Sequence, residues 1–202
     1  ATTIWCGDSP GLPGPKFRGE GCGIWKVVEE TGATWVDFFD GAKTTVFWNN
    51  VKAPQCRFLT EADVVISVSK MKTHQLMYTT GAVKNMFGTI PGLNKSPMHL
   101  YARSPENFAK LILSIYNVHV PEYSVMDGII SMEGAGPANG TLRQTGLLLA
   151  SSSALALDKA EAILMGYDPK DIPILKEAER NEKGSTDGVY PLLDPEKEVI
   201  KD

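Results

Sequence analysis

No apolar run in this 202-residue chain approaches the roughly 20 residues that a bilayer-spanning helix requires. The opening ATTIWCGDSP has neither the basic nor the apolar region of a secretion signal. Membrane insertion and export are therefore not written in the sequence, and we expect a soluble protein of the cytoplasm. Basic charge is also scarce: 20 Lys and Arg stand against 24 Asp and Glu, for a net charge of -4 and a pI near 5.5. That balance excludes the broad basic surface that nucleic acid or an acidic membrane needs. Cysteine is rarer still. Cys6, Cys22 and Cys56 are an odd number at wide, irregular spacing, which matches no disulfide framework and no zinc or iron-sulfur motif. They read as small apolar residues in a reducing compartment, with Cys6, beside Gly7 and Asp8, the one to test for reactivity. The G-x-x-x-x-G-K-[ST] phosphate loop is absent as well.

What is present suits a globular core: 43% of residues are hydrophobic and 22% charged, and the length fits one α/β domain over residues 1–202. Apolar runs bounded by Gly, Pro and Asp alternate with helical patterns, which predicts a mostly parallel or mixed sheet flanked by helices in a single compact domain. Residues 2–6, ATWVDFF, KTTVFW, DVVISVS (63–69), YSVMDGII and GLLLAS (146–151) read as strands. DVVISVS reads as apolar on both faces until its end, as a central parallel strand covered by helices would be. Residues 21–31 read as a helix ending near Gly32. In SPENFAKLILSIYNV, Ser104 is a candidate N-cap, Pro105 sits in the first turn, and Phe108, Leu111, Ile112 and Ile115 recur at helical spacing. SSSALALDKAEAILMG is a capped helix stopping at Gly166, followed by a more polar one. Trp5, Trp25, Trp35 and Trp48 read as core.

The densest polar feature is KMKTHQLMYTTGAVKNMFG, residues 70–88. A strand ending in Lys70, Lys72, Thr73 and His74, with Lys84 and Asn85 ten residues on, gathers cations and donors that suit phosphate or carboxylate. A solvated strand end and a plain helix with Gly at each end would explain the same residues without a ligand. The loop from Asp127 to Gly140 adds Glu133 and a backbone rich in glycine at Gly134 and Gly136. Its carboxylates can pair with the lysines, hold magnesium, or serve as acid and base. Ligands of open α/β sheets collect where strand C-termini converge, so parallel strands would bring Asp8 and Ser9 of GDSPG, the KMKTH segment, the 127–140 loop and Ser151–Ser153 to one rim. Lys72, His74, Asp127 and Glu133 are then the candidates for chemistry. Asp8, Ser9, Lys70, Thr73, Lys84, Asn85, Gly134 and Gly136 are the candidates for ligand binding. Asp158, in an alanine-rich helix, is either buried against a neighbouring motif or exposed.

KMKTH, TTGAVKNMFGTIPG, DGIISMEGAGPANG and GLLLASSSALALDKAEAILMGYDP, in this order and spacing over about residues 60–170, resemble the domain-of-unknown-function 362 family, and GDSPG fits it too. The resemblance implies an α/β domain that many members join to a ferredoxin-like module holding two iron-sulfur clusters, and hence a setting in redox metabolism. This chain has no ferredoxin-like cysteine run and lacks the Lys-Pro-Asn-like strand that usually precedes GDS. A cluster would have to come from a missing segment or a partner. The chain starts at Ala, so trimming at the N-terminus is allowed for. Two functions follow as expectations. One is an enzyme or enzyme subdomain that binds an anionic small molecule in a Lys/His/Asp-lined crevice. The other is a non-catalytic docking or electron-transfer partner for a ferredoxin-like protein.

Overall fold

The computed structural model describes residues 3–9 and 23–181, so Cys22 and Pro10–Gly11 of the first polar loop lie outside the described residues. In chain order the elements are β1 (Trp5–Cys6), α1 (Ile24–Thr31), β2 (Thr34–Trp35), β3 (Lys43–Val46), β4 (Lys52–Gln55) and α2 (Phe58–Glu61). Next come β5 (Ile66–His74), β6 (Tyr78–Thr79), α3 (Ala82–Asn85), α4 (Lys95–Tyr101) and α5 (Pro105–Tyr116). β7 (Tyr123–Glu133), β8 (Thr141–Ser151), α6 (Ala154–Leu164) and α7 (Pro173–Arg180) complete the α/β architecture. The chain divides into two compact units, one of residues up to 61 together with 88–101, the other of 62–87 together with 102 onward.

In the first unit β1 pairs in parallel with β2, and β3 antiparallel with β4. The strand expected over ATWVDFF shrinks to Thr34–Trp35, because the Asp37 carboxylate accepts the Phe39 N–H at 2.9 Å and turns the backbone. The tryptophan expectation is corrected: none of the four is buried. Trp5 instead packs edgewise on Phe58 with ring centres 5.1 Å apart, and Trp25 lies tilted against Trp35 at 6.1 Å.

The second unit is built on a four-stranded mixed sheet in the order β6-β5-β7-β8, in which β5 and β7 are parallel and the outer pairs antiparallel. Strand β5 begins and ends later than its apolar run, and it is not covered on both faces. Ser67, Ser69, Met71 and Thr73 are buried, whereas Ile66 and Val68 are 56% and 66% exposed. The small serines face inward because α3 packs there at backbone distance: Ser67 Oγ donates to the Ala82 carbonyl at 3.3 Å. Helix α5 follows its sequence signals closely. Ser104 Oγ accepts the Asn107 N–H at 3.2 Å, and Phe108, Leu111, Ile112 and Ile115 are fully buried, each contributing about 1.5–3 kcal/mol.

Helix α6 carries a buried polar link to α3. Asp158 is buried, the first of the two alternatives left by the sequence, and its carboxylate accepts the N–H groups of Ala82 at 2.5 Å and Val83 at 3.1 Å. Gly81, at φ 62 and ψ 173, sits so close that an added Cβ would lie 2.5 Å from Asp158 Oδ2. One helical turn on, Glu161 is also fully buried. The Thr79 hydroxyl and the Lys72 and Gly81 N–H groups lie on its side, yet none completes a hydrogen bond to either carboxyl oxygen. Burial pushes the Asp158 carboxyl up to about 7. Burial, and then the Asp158 charge, raise Glu161 well above the carboxylate range. Tyr116 on α5 faces the same pair, its hydroxyl driven up to about 12 by burial and by Asp158.

Two outcomes follow. Gly81→Ala forces a side chain into a backbone region that only glycine occupies at ease and into the Asp158 carboxylate, so unfolding stability should fall by about 2–4 kcal/mol in urea denaturation. A loss below about 1 kcal/mol would mean the contact is dispensable. The raised carboxyls bind protons in the folded state that the unfolded chain has released, so their stabilisation is complete below the unfolded value near 4 and disappears as pH climbs through about 7. The melting temperature should therefore decline from pH 5.5 to 8, and Glu161→Gln should flatten that decline; an unchanged slope would refute the assignment.

Candidate functional site

Register decides which candidates can meet. Lys72 lies beside Met132, and Glu133 beside Thr141, so the KMKTH end of β5 and the Glu133 end of β7 share one edge of the second unit. The Ser151–Ser153 segment does not belong there: β8 runs antiparallel to β7 and places Ser151 beside Ser124, at the opposite end. The expected common rim is corrected to that extent. Asp127 is also not at a strand end, because β7 continues through it to Glu133.

Alternation along β5 then separates the cations from Thr73. Lys70 falls between the buried positions Ser69 and Met71, and Lys72 between Met71 and Thr73. Lys70 Nζ donates to Asp127 Oδ2 at 2.7 Å, and both side chains are about two-fifths exposed. That hydrogen bond is the main reason the Asp127 carboxyl is held below its ordinary range; solvent limits the pair to at most about 1 kcal/mol. Asp127 spends its other oxygen on the Ile129 N–H at 2.9 Å. His74 works on its own turn: Nδ1 accepts from the Leu76 and Met77 N–H groups, both at 3.2 Å, which requires that nitrogen to be unprotonated. Asn85 ties α3 to β5, its carboxamide donating to Ser67 Oγ and the Val68 carbonyl at 3.1 Å. Lys84 sits half-buried beside it on α3.

On the other face, Thr73, Glu133 and Gly134 line one cavity of about 160 Å³. Thr73 Oγ1 donates to the Gly134 carbonyl at 3.1 Å, and Gly136 lies so close to the Thr73 carbonyl that a Cβ there would overlap it. Gly136 therefore serves the loop-to-strand contact. Three residues absent from the sequence expectations complete the polar lining. Arg143 of β8 donates to Glu133 at 2.8 Å, and Ser131 and Thr145 share a hydroxyl hydrogen bond at 2.6 Å while Thr145 donates to the Gly128 carbonyl. Met71, Met132 and Met165 form apolar wall, with Tyr167 beyond the end of α6. The signal in the sequence was the alternation R-x-T in TLRQT, which places Arg143 and Thr145 on one face of a strand.

Asp8 and Ser9 belong to the first unit. Ser9 is buried; its N–H donates to Asp8 Oδ1 at 2.7 Å, and its hydroxyl accepts the Gly92 N–H at 2.7 Å. Lys95, which the sequence reading passed over, donates to the Ser9 carbonyl. Burial lowers the Lys95 ammonium from its ordinary value, against the pull of Asp8. Cys6 is half-buried, and burial followed by the Asp8 charge raises its thiol, so it is a poor nucleophile.

The two carboxylates put forward for magnesium do not share a site: Asp127 is bound to Lys70 on one face, and Glu133 to Arg143 in the cavity on the other. Among the described residues no set of three or more His, Cys, Asp or Glu side chains could hold a metal ion. None of the described helices is long and apolar enough to cross a membrane.

Comparison with known proteins places this arrangement in a family. A thylakoid-associated protein of Synechocystis sp. is 31% identical over 199 residues, covering 96% of this chain and 61% of the relative. The chain thus spans about three-fifths of that relative's length. No solved structure matches it. The family model described as a domain of unknown function, DUF362, matches residues 1–162, which takes in both β5 with its lysines and the Asp127–Gly140 segment, and the chain belongs to that family.

Proposed function

We propose that this chain is the ligand-binding part of a larger DUF362 protein and that it takes a small carboxylate in the cavity between Thr73, Glu133 and Arg143. The observation that supports the reading most is the cavity itself: three residues singled out from sequence, Thr73, Glu133 and Gly134, line it together with an arginine. A guanidinium recognises a carboxylate through two parallel hydrogen bonds, the strongest neutralising contact a side chain offers. Size narrows the ligand. A volume near 160 Å³ is about that of cavities that take up benzene. A phosphate ester with even a three-carbon body is larger, so the carboxylate is favoured over the phosphate. Glu133, 47% exposed in its side chain and adjacent to the bound group, is the residue placed to accept or give a proton.

The docking alternative drew on a basic rim for an acidic ferredoxin-like partner. Lys70 is paired with Asp127 on the exposed side of the sheet, which removes one of that rim's charges. The two readings separate in one experiment. A thermal-shift panel of acetate, propionate, pyruvate, lactate, succinate and inorganic phosphate should raise the melting temperature by about 5–10 °C for a carboxylate held at a hundred times its Kd. Arg143→Ala should abolish the shift while leaving the circular dichroism spectrum intact. A panel without any shift, or a shift that survives in Arg143→Ala, would sink the carboxylate reading. Salt-sensitive binding of a ferredoxin in its place would establish docking.

A further inference from the structure

The cavity selects more than a carboxylate. We infer that its ligand is a zwitterion, a small α-amino acid with a short apolar side chain; this deepens the carboxylate reading and rests on it.

The first observation is the state of Arg143. It is bonded to Glu133 at 2.8 Å, with side chains 24% and 47% exposed. Glu133 takes Arg143 Nη1, so a plain carboxylate at Arg143, whether it uses the other guanidinium N–H groups or replaces Glu133, sits beside the Glu133 carboxylate and leaves one cation serving two anions. An amino acid avoids the conflict. Its carboxylate takes Arg143, its ammonium takes Glu133, and every charge in the partly desolvated site keeps a partner. The pair can also part without backbone movement. Ser131 lies opposite Arg143 and Thr141 opposite Glu133, so Arg143 and Glu133 are diagonal neighbours on adjacent strands. Diagonal neighbours are about 7–8 Å apart, their Cβ atoms somewhat less, a gap that the length of the two side chains closes.

The second observation is where the hydroxyl hydrogens go. Thr73 gives its proton to the Gly134 carbonyl, Thr145 gives its own to the Gly128 carbonyl, and Ser131 is then the donor to Thr145. The protons of these three hydroxyls are therefore committed within the protein, which leaves them as acceptors, with Arg143 and the Tyr167 hydroxyl as the other polar side-chain groups of the lining besides Glu133. Lone pairs repel an anion and accept from an ammonium group. One strong donor and a cluster of acceptors is the complement of a carboxylate joined to an ammonium.

The third observation sets the body of the ligand. Met71, Met132 and Met165 offer flexible apolar thioethers and no polar partner beyond the hydroxyls. Alanine has as many non-hydrogen atoms as benzene, and the volume suits it or a slightly larger aliphatic relative.

The test is calorimetric titration of the wild-type chain with L-alanine, L-valine, propionate and n-propylamine. L-alanine or L-valine should bind at least tenfold more tightly than either single-charge analogue. Glu133→Gln should remove most of that advantage and leave propionate binding equal or improved. Propionate binding as tightly as the amino acids would overturn the zwitterion and leave the carboxylate reading standing. n-Propylamine binding as tightly as the amino acids would overturn the zwitterion as well. Absence of binding by all four ligands would overturn both. The wild-type comparison decides the matter even if the Glu133 variant fails to fold.

Discussion

The second unit depends on one buried carboxyl group bound by backbone. Asp158 reaches from α6 and accepts two N–H groups at the start of α3, a helix of four residues that has too few internal hydrogen bonds to hold itself. The carboxylate stands where solvent or a side-chain cap would otherwise be needed. It also dictates Gly81, since any side chain at that position would overlap it. With α3 fixed, Asn85 can reach the backbone of β5, and the inward face of β5 must be small enough to receive it, which explains serine at 67. The chain of causes therefore runs from one helix to the pattern of a strand several elements away. The site shares that scaffold, because Thr73 lies on the same buried face of β5 as Ser67.

This dependence explains what could be read from the sequence and what could not. Helix α5 was legible to the residue: a Ser N-cap, a Pro at the first position and an apolar stripe are local signals, and all lie within one stretch of twelve residues or so. The strand character of residues 66–69 was legible too, but not where the strand starts or which way its faces turn. Val and Ile alternate with Ser there, and hydrophobicity alone would turn Ile66 and Val68 inward. The structure turns Ser67 and Ser69 inward because the neighbour that approaches is a backbone turn, and nothing in the strand's own sequence announces that. The four tryptophans fail for a related reason. Their size suggested a core, yet short strands of two to four residues give the first unit little interior to receive them.

The same distinction separates the site residues. Lys70, Lys72, Thr73 and His74 are contiguous, so the sequence presented them as one cluster. Pleating divides them: Lys70 meets Asp127 on one face, Thr73 meets the cavity on the other, and His74 closes its own turn. Arg143 and Glu133 are ten residues apart and lie on strands joined by a hairpin whose register a sequence does not state. A pairing of that kind becomes visible only when the ladder is known.

The resting ion pair also has a consequence for how the cavity behaves without ligand. A lone guanidinium in a partly desolvated pocket lined by thioethers would be costly, and so would a lone carboxylate. By holding each other, Arg143 and Glu133 neutralise the cavity wall, and on the carboxylate reading a ligand that takes either group competes with that bond. Competition of this sort weakens every ligand by the same internal contact. It therefore penalises most those that can replace only one of the two partners, because they leave the other charge without compensation. Discrimination between ligands of similar size then arises from the number of charges replaced and not from extra contacts. A cavity with few polar groups can be selective on that basis alone.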